Sequence, residues 1–228
     1  LALSKHHITG LLEVDITDAR ARLREDRSGE AGVSFFGWFV KTVATVIAEN
    51  RYVHAVEGRK NRVVVFDDID ISIVVERKVG EARVPLPMLV RGADKKTAEE
   101  IYAEIRTAQG RKIEDEGDYV LSGRSISTML LKLYYVVPRW LRLFAFRRVL
   151  ANPFRKKKFM GTVVITSIGA ARGLSGWIIP KSMHNLCIGL GSISKKPWVV
   201  GDEVKPREIL HLTLLFDHDV VDGIPAAR

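Results

Sequence analysis

Cysteine is almost absent from this sequence: Cys187 is the single one among 228 residues. That excludes a disulfide framework and a thiolate metal cluster, and it fits a reducing, cytoplasmic compartment. Between Leu186 and Ile188, its expected role is that of a small core residue. No apolar run is long and charge-free enough to span a bilayer, and the N-terminus lacks a signal-peptide pattern. The chain runs from Leu1 to Arg228, and both ends are expected to continue in the natural protein. Aromatic residues are few, at 8%, but the hydrophobic content of 46% excludes a disordered or fibrous class and allows a sizeable core.

Acid is missing from one place in particular. Arg139 to Lys158 holds eight basic residues and neither aspartate nor glutamate. The formal net charge is +9, and without that block the chain is close to neutral. Basicity confined to one segment argues against a general nucleic-acid surface, so no nucleic acid is expected as a partner. Ile126–Val137 reads as a mostly apolar helix ended by Pro138, after which Trp140, Leu141, Leu143, Phe144 and Phe146 alternate with arginines. Two readings stand side by side. A basic amphipathic element would dock on a membrane surface or a protein partner. An added helical pair would pack on its own domain and keep its arginines in water by snorkelling.

The remaining segments read as alternating strands and helices. Ile8–Ile16 is a strand, with Thr17 or Asp18 capping a helix to about Arg24. Phe35–Ala48 is a core helix with Phe39, Val43, Val46 and Ile47 at helical spacing, and His54 behind it is expected to be structural. Ile69, Ile71, Ile73 and Val75 share one strand face, with Asp70 and Ser72 on the other. Asp67, Asp68 and Asp70 are three carboxylates in a short span, but ligands for a full cation shell are missing nearby. A turn and a solvated strand face is the preferred reading, with no metal. Pro85 and Pro87 mark an edge strand, and Thr97 with Glu100 forms a capping box on a helix to about Gln109.

Near the C-terminus, Leu212, Leu214 and Phe216 alternate with His211, Thr213 and Leu215, and the strand runs into His218. Continued, the register places His218 on the Leu212 side, where apolar surroundings suit a neutral imidazole acting as a base. Asp222 follows four residues later, with Gly223 permitting a tight turn. Gly189 and Gly191 are spaced by one residue, but no third glycine or helix follows as a dinucleotide site requires.

Phe216-Asp217-His218-x-Val220-Val221-Asp222-Gly223 resembles the HxxxDG signature of the dihydrolipoamide acyltransferase catalytic domains of 2-oxoacid dehydrogenase complexes, a fold shared with chloramphenicol acetyltransferase. The likeness continues at Asp15-Ile16-Thr17, at Arg91-Gly92-Ala93-Asp94-Lys95-Lys96-Thr97, at Gly161–Gly169 and at Asn185–Gly191. It implies a single catalytic domain over 1–228, folded as a two-layer α/β sandwich with a mixed sheet. It also implies a homotrimer with active sites between subunits, His218 of one facing Thr166 of the next. His218 would act as general base, Thr166 as oxyanion donor and Asp222 as a brace for the His218 loop. Coenzyme A is implied as the acyl-CoA substrate, with a small-molecule acceptor or a lipoyl group on a separate carrier.

Departures accompany the likeness. Residues 119–160 form a basic, apolar insertion where relatives have a short polar loop, and Asp219 stands where they commonly have arginine. The lipoyl and subunit-binding modules of such enzymes are not in this sequence, which points to a stand-alone acyltransferase. The contrasting expectation is a non-catalytic trimeric scaffold, or a membrane-surface or partner-binding protein, that uses the insertion.

Overall fold

The computed structural model describes residues 5–26, 33–58, 62–79, 82–110, 137–167 and 175–221. The expected helix over 126–137 lies outside them except for Val137, as do Asp222 and Gly223.

Alternating sequence at the two ends of the chain meets in space. β1 (His7–Asp15) pairs antiparallel with β8 (Glu203–Asp217), from His7 opposite Asp217 to Asp15 opposite Ile209. β8 also forms a hairpin with β7 (Leu186–Val200), turned at Gly201, whose φ of 62° suits a residue without Cβ. β6 (Val163–Ser167) runs parallel to β7 and to β4 (Ile71–Val79). β5 (Ala82–Val90) closes the far edge, where Pro85 and Pro87 need no second neighbour. The order is β1-β8-β7-β6-β4-β5, a mixed sheet. A small ladder of β2 (Val56–Glu57) and β3 (Val63–Val64) stands apart.

Two helices cover one face. α2 (Phe35–Glu49) is capped by Ser34, whose hydroxyl accepts from the Gly37 N–H, and buries Phe39, Val40, Ala44 and Ile47. Val46 is 55% exposed, so the buried stripe lies beside the one expected from spacing. α3 (Ala98–Gly110) carries the expected capping box. The Thr97 N–H donates to Glu100 and the Glu100 N–H to the Thr97 hydroxyl, with Ile101 and Ile105 buried below. These side chains and Ile71, Ile73, Val163, Ile165 and Leu210 form the core, giving the two-layer α/β sandwich.

The cap of α1 (Thr17–Asp26) differs from expectation. Asp15 accepts from both the Thr17 N–H (3.0 Å) and its hydroxyl (2.6 Å), while Thr17 is the first helical residue. The same hydroxyl accepts from the Glu208 N–H, tying the helix start to β8. The strand face carrying Asp70 and Ser72 is also different: both are buried, not solvated. Asp70 accepts from the Gly92 N–H (2.9 Å) and from Arg91 (3.3 Å), so loop contacts replace water.

The basic block divides into α4 (Arg139–Leu150) and α5 (Pro153–Met160). α5 packs on the domain through Pro153, Lys156 and Met160, and Phe154 meets Phe66 edge-on. α4 buries none of its residues, and Trp140 is 70% exposed. At about 100° per residue, Arg139, Arg142, Arg147 and Arg148 fall in four quadrants of α4, so it lacks the expected amphipathic division. No described helix is long and apolar enough to cross a membrane.

Candidate active site

β8 ends at Asp217, and the chain turns so that Val220 and Val221 both donate N–H groups to the Asp217 carbonyl at 3.0 Å. Val220 and Val221 bury themselves with Ala55, which pins the far side of the turn. His218, between these anchors, is exposed, and its N–H donates to the His6 carbonyl at 2.8 Å. The apolar surroundings expected from the strand register are therefore not supplied by this chain. The strand stops one residue short, and the turn carries the imidazole into solvent.

The N-terminal segment braces the same turn. Lys5 forms an ion pair with the fully buried Asp217 carboxylate. The His6 ring shares a proton with Asp219 at 2.9 Å, and that hydrogen bond, reinforced by the carboxylate charge, raises the imidazole above its ordinary pKa. His7 donates from Nε2 to the His184 carbonyl at 3.0 Å.

A buried layer lies beneath. The Asp217 N–H donates to the Asn185 carbonyl at 2.8 Å, and the Asn185 side-chain oxygen accepts from Lys156 of α5 at 2.6 Å. His184 Nε2 donates to the Met160 carbonyl at 2.9 Å, and burial pushes its imidazole down to about 4. His54, expected to be structural, is fully buried against the Thr162 hydroxyl at 2.8 Å. Cys187 is buried, and burial pushes its thiol up to about 11, which keeps it protonated and unreactive.

Thr166 is half-buried near the end of β6, where it pairs with Gly189 of β7, which in turn pairs with Thr213 of β8. Thr166 is thus two strands, about 10 Å, from β8, and His218 lies five residues, about 17 Å, further along. One chain does not bring Thr166 and His218 together. Asp222 is not among the described residues.

Gly189 and Gly191 have a packing explanation. A Cβ on Gly191 would lie 2.2 Å from the Gly176 carbonyl, and one on Gly189 would lie 3.1 Å from Ile178. The segment from Gly176 to Ile178 crosses the sheet here, with Trp177 edge-on to His211 at 4.5 Å between ring centroids. Among the described residues, no group of histidine, cysteine, aspartate or glutamate could hold a metal. Asp68 instead accepts from Lys95 at 2.6 Å and Lys157 at 3.3 Å, both of which lower its pKa.

Residues 150–228, which include α5, β6–β8 and the His218 turn, match the model of the 2-oxoacid dehydrogenases acyltransferase (catalytic domain). The match is confined to that stretch, about a third of the chain. Among curated relatives, the acetyltransferase component of the pyruvate dehydrogenase complex of Acholeplasma laidlawii is 38% identical over 68 residues. The match covers 30% of this chain and 12% of that protein. The fold extends the likeness through the rest of the chain. The cubic core of the pyruvate dehydrogenase multienzyme complex superposes with a TM-score of 0.65 at 18% identity, covering 99% of this chain and 79% of that one. Chloramphenicol acetyltransferase gives 0.52 at 15% identity, covering 97% and 83%. Outside residues 150–228, the acyltransferase likeness is one of fold.

Sequence reasoning named His218, Thr166 and Asp222 but gave no role to Lys5, Asn185, Lys156 or Asp217. Asp217 is inside the quoted motif, so its position was legible. Lys156 was counted within the basic block Arg139–Lys158, and its burial separates it from Arg155 and Lys158.

Proposed function

We propose that the protein is an acyltransferase moving an acyl group between coenzyme A and a thiol or similar acceptor at sites shared by neighbouring subunits of a homotrimer. The observation that carries this reading is the anchored, exposed His218 turn, held far from the only strand hydroxyl that the family resemblance assigns to catalysis. A second copy would have to bring Thr166 to it.

In such a site, His218 takes the proton from the acceptor thiol as the sulfur attacks the thioester carbonyl carbon. The carbonyl π electrons move to oxygen, and the Thr166 hydroxyl of the neighbouring subunit donates a hydrogen bond to that oxyanion. Collapse reforms the carbonyl and expels the coenzyme A thiolate, which recovers the proton from His218. Holding both thiols beside one base supplies acceleration through proximity. Asp222 braces the His218 loop. A lipoyl group on a separate carrier is one acceptor that fits this chemistry.

The test is thiol release from a panel of acyl-CoA donors with dihydrolipoamide, amine and alcohol acceptors, run beside His218→Ala. Release in the wild type and none in the variant is expected. Equal release in both would overturn the mechanism, and no release with any pair would favour a trimeric scaffold.

A second reading concerns α4, and we propose that it docks on an anionic lipid surface. Trp140, Leu141, Leu143, Phe144 and Phe146 are exposed on a segment free of acidic residues. A protein groove reads one helical stripe, whereas these apolar groups and the arginines go all round the helix. Long arginine stems can snorkel to phosphates from any side of the helix while the rings lie toward the acyl chains. Co-sedimentation with phosphatidylserine-containing vesicles but not with phosphatidylcholine vesicles is expected, weakened in R147Q/R148Q. Binding to neither, or equally to both, would count against it.

A further inference from the structure

Of the eight basic residues between Arg139 and Lys158, Lys156 is buried, with 6% of its surface exposed. Its hydrogen-bond partner is a neutral amide, Asn185 Oδ1 at 2.6 Å, not a carboxylate. The buried carboxylate whose charge acts on it, Asp217, is already paired with Lys5. A buried ammonium without its own counter-ion is costly, and an apolar side chain of similar length would fill the space at less expense. Packing therefore does not account for a lysine here.

We propose that Lys156 is a positioning residue for His218, acting through Asn185 and Asp217 on the turn that presents the imidazole. This rests on the acyltransferase reading given above.

The physical chain is short. A lysine ammonium only donates, so Asn185 must turn its oxygen toward Lys156. That choice leaves Asn185 Nδ2 buried without a hydrogen-bond partner among the described residues, an orientation the amide would not keep without the lysine. The backbone carbonyl of the same Asn185 accepts from the Asp217 N–H at 2.8 Å, so one residue is tied both to Lys156 and to the end of β8. Asp217 then accepts the two N–H groups of Val220 and Val221 that close the turn around His218. Lys156 thus links α5, at the end of the basic block, to the residue after β8.

Four charged or titratable groups face this ammonium: Lys5 before β1, Asp217 at the end of β8, Glu57 in β2 and His184 before β7. Burial lowers its pKa most, Lys5 lowers it further, and Asp217 and Glu57 oppose them, leaving it at about 8. The turn therefore loosens as pH rises through about 8, when the ammonium loses its proton and its hold on Asn185 weakens.

The experiment compares wild type, K156M and K156R for kcat, KM and their pH profiles, with melting temperature as a control for folding. K156M is expected to lower kcat roughly tenfold to hundredfold with KM for acyl-CoA little changed, because a displaced base slows chemistry more than binding. In the wild type an alkaline fall in kcat is expected near pH 8, absent in K156M and moved upward in K156R, whose guanidinium keeps its charge. A purely structural lysine would shift melting temperature and leave that limb in place. K156M with wild-type kcat and an unchanged limb would overturn the proposal.

A second measurement does not need turnover. In protein labelled with ¹⁵N-histidine, the His218 imidazole signal, assigned by its loss in His218→Ala, is expected to move in K156M. An unmoved signal overturns the role of Lys156 even if the protein is an active acyltransferase. A moved signal without thioester transfer upholds the coupling and defeats the acyltransferase reading instead. Should K156M fail to fold, the pH profile and His218 signal of K156R carry the same comparison with wild type.

Discussion

His54 and His184 show how single residues trade function for packing. Both imidazoles are buried and held at about 4, chiefly by desolvation, with the nearby Lys156 charge adding to the effect at His184. An imidazole whose folded pKa lies below its ordinary value of 6.5 binds its proton more readily in the unfolded chain. Stability is therefore unaffected above pH 6.5 and falls as pH drops from 6.5 toward 4, by on the order of 3 kcal/mol per histidine. Urea unfolding at pH 7 and pH 4.5 should show this loss, and H184N should make it smaller. An acid loss of the same size in H184N would mean that the burial of His184 is not its source. His54, expected from sequence to be structural, is fully buried against the Thr162 hydroxyl. The burial of Lys156 was not legible, since in sequence it looks the same as Arg155 and Lys158, which are exposed.

At the scale of elements, the sheet is governed by where backbone can approach backbone. The Gly176–Ile178 segment lies so close over β7 that a Cβ at position 191 would meet the Gly176 carbonyl at 2.2 Å. G191A is expected to destabilise the protein by about 1–3 kcal/mol through overpacking, with a matching drop in urea midpoint. G201A, at the hairpin turn where an added Cβ meets nothing, serves as a contrast that tests conformation and not contact. A G191A protein as stable as wild type would show that the crossing segment yields. Spacing alone had excluded a dinucleotide loop at Gly189 and Gly191, but it offered no positive reason for two glycines. The crossing segment supplies that reason. Likewise, α4 and α5 follow each other in one basic block, yet α5 buries Pro153, Lys156 and Met160 while α4 buries nothing.

For the whole molecule, the separation between Thr166 and His218 makes a test of subunit sharing. T166A is expected to lose about 2.7–4 kcal/mol of transition-state stabilisation if the hydroxyl is a full oxyanion donor. His218→Ala should abolish transfer while leaving the proposed trimer intact by light scattering. Co-expressed T166A and H218A subunits should then recover activity that neither has alone, because mixed trimers pair an intact His218 with an intact Thr166 across an interface. Mixed trimers with no more activity than the parents would place the site within one chain.

Sequence by itself determined the strands that became β1, β4, β5 and β8, the helices α1, α2 and α3, the capping box at Thr97, the edge position of the proline strand and the motif around His218. These are local properties: periodicity, proline geometry and cap chemistry act over a few residues, so they are written in consecutive letters. Tertiary structure alone decided that Asp70 and Ser72 are buried, that Asp15 caps α1, and that Lys5, Asn185 and Lys156 gather beneath the His218 turn. Lys5 and Asp217 stand 212 residues apart in the chain. Their meeting depends on β1 pairing with β8, and burial and electrostatic partnership depend on what lies nearby in space. That is why the motif around His218 was readable and the support beneath it was not.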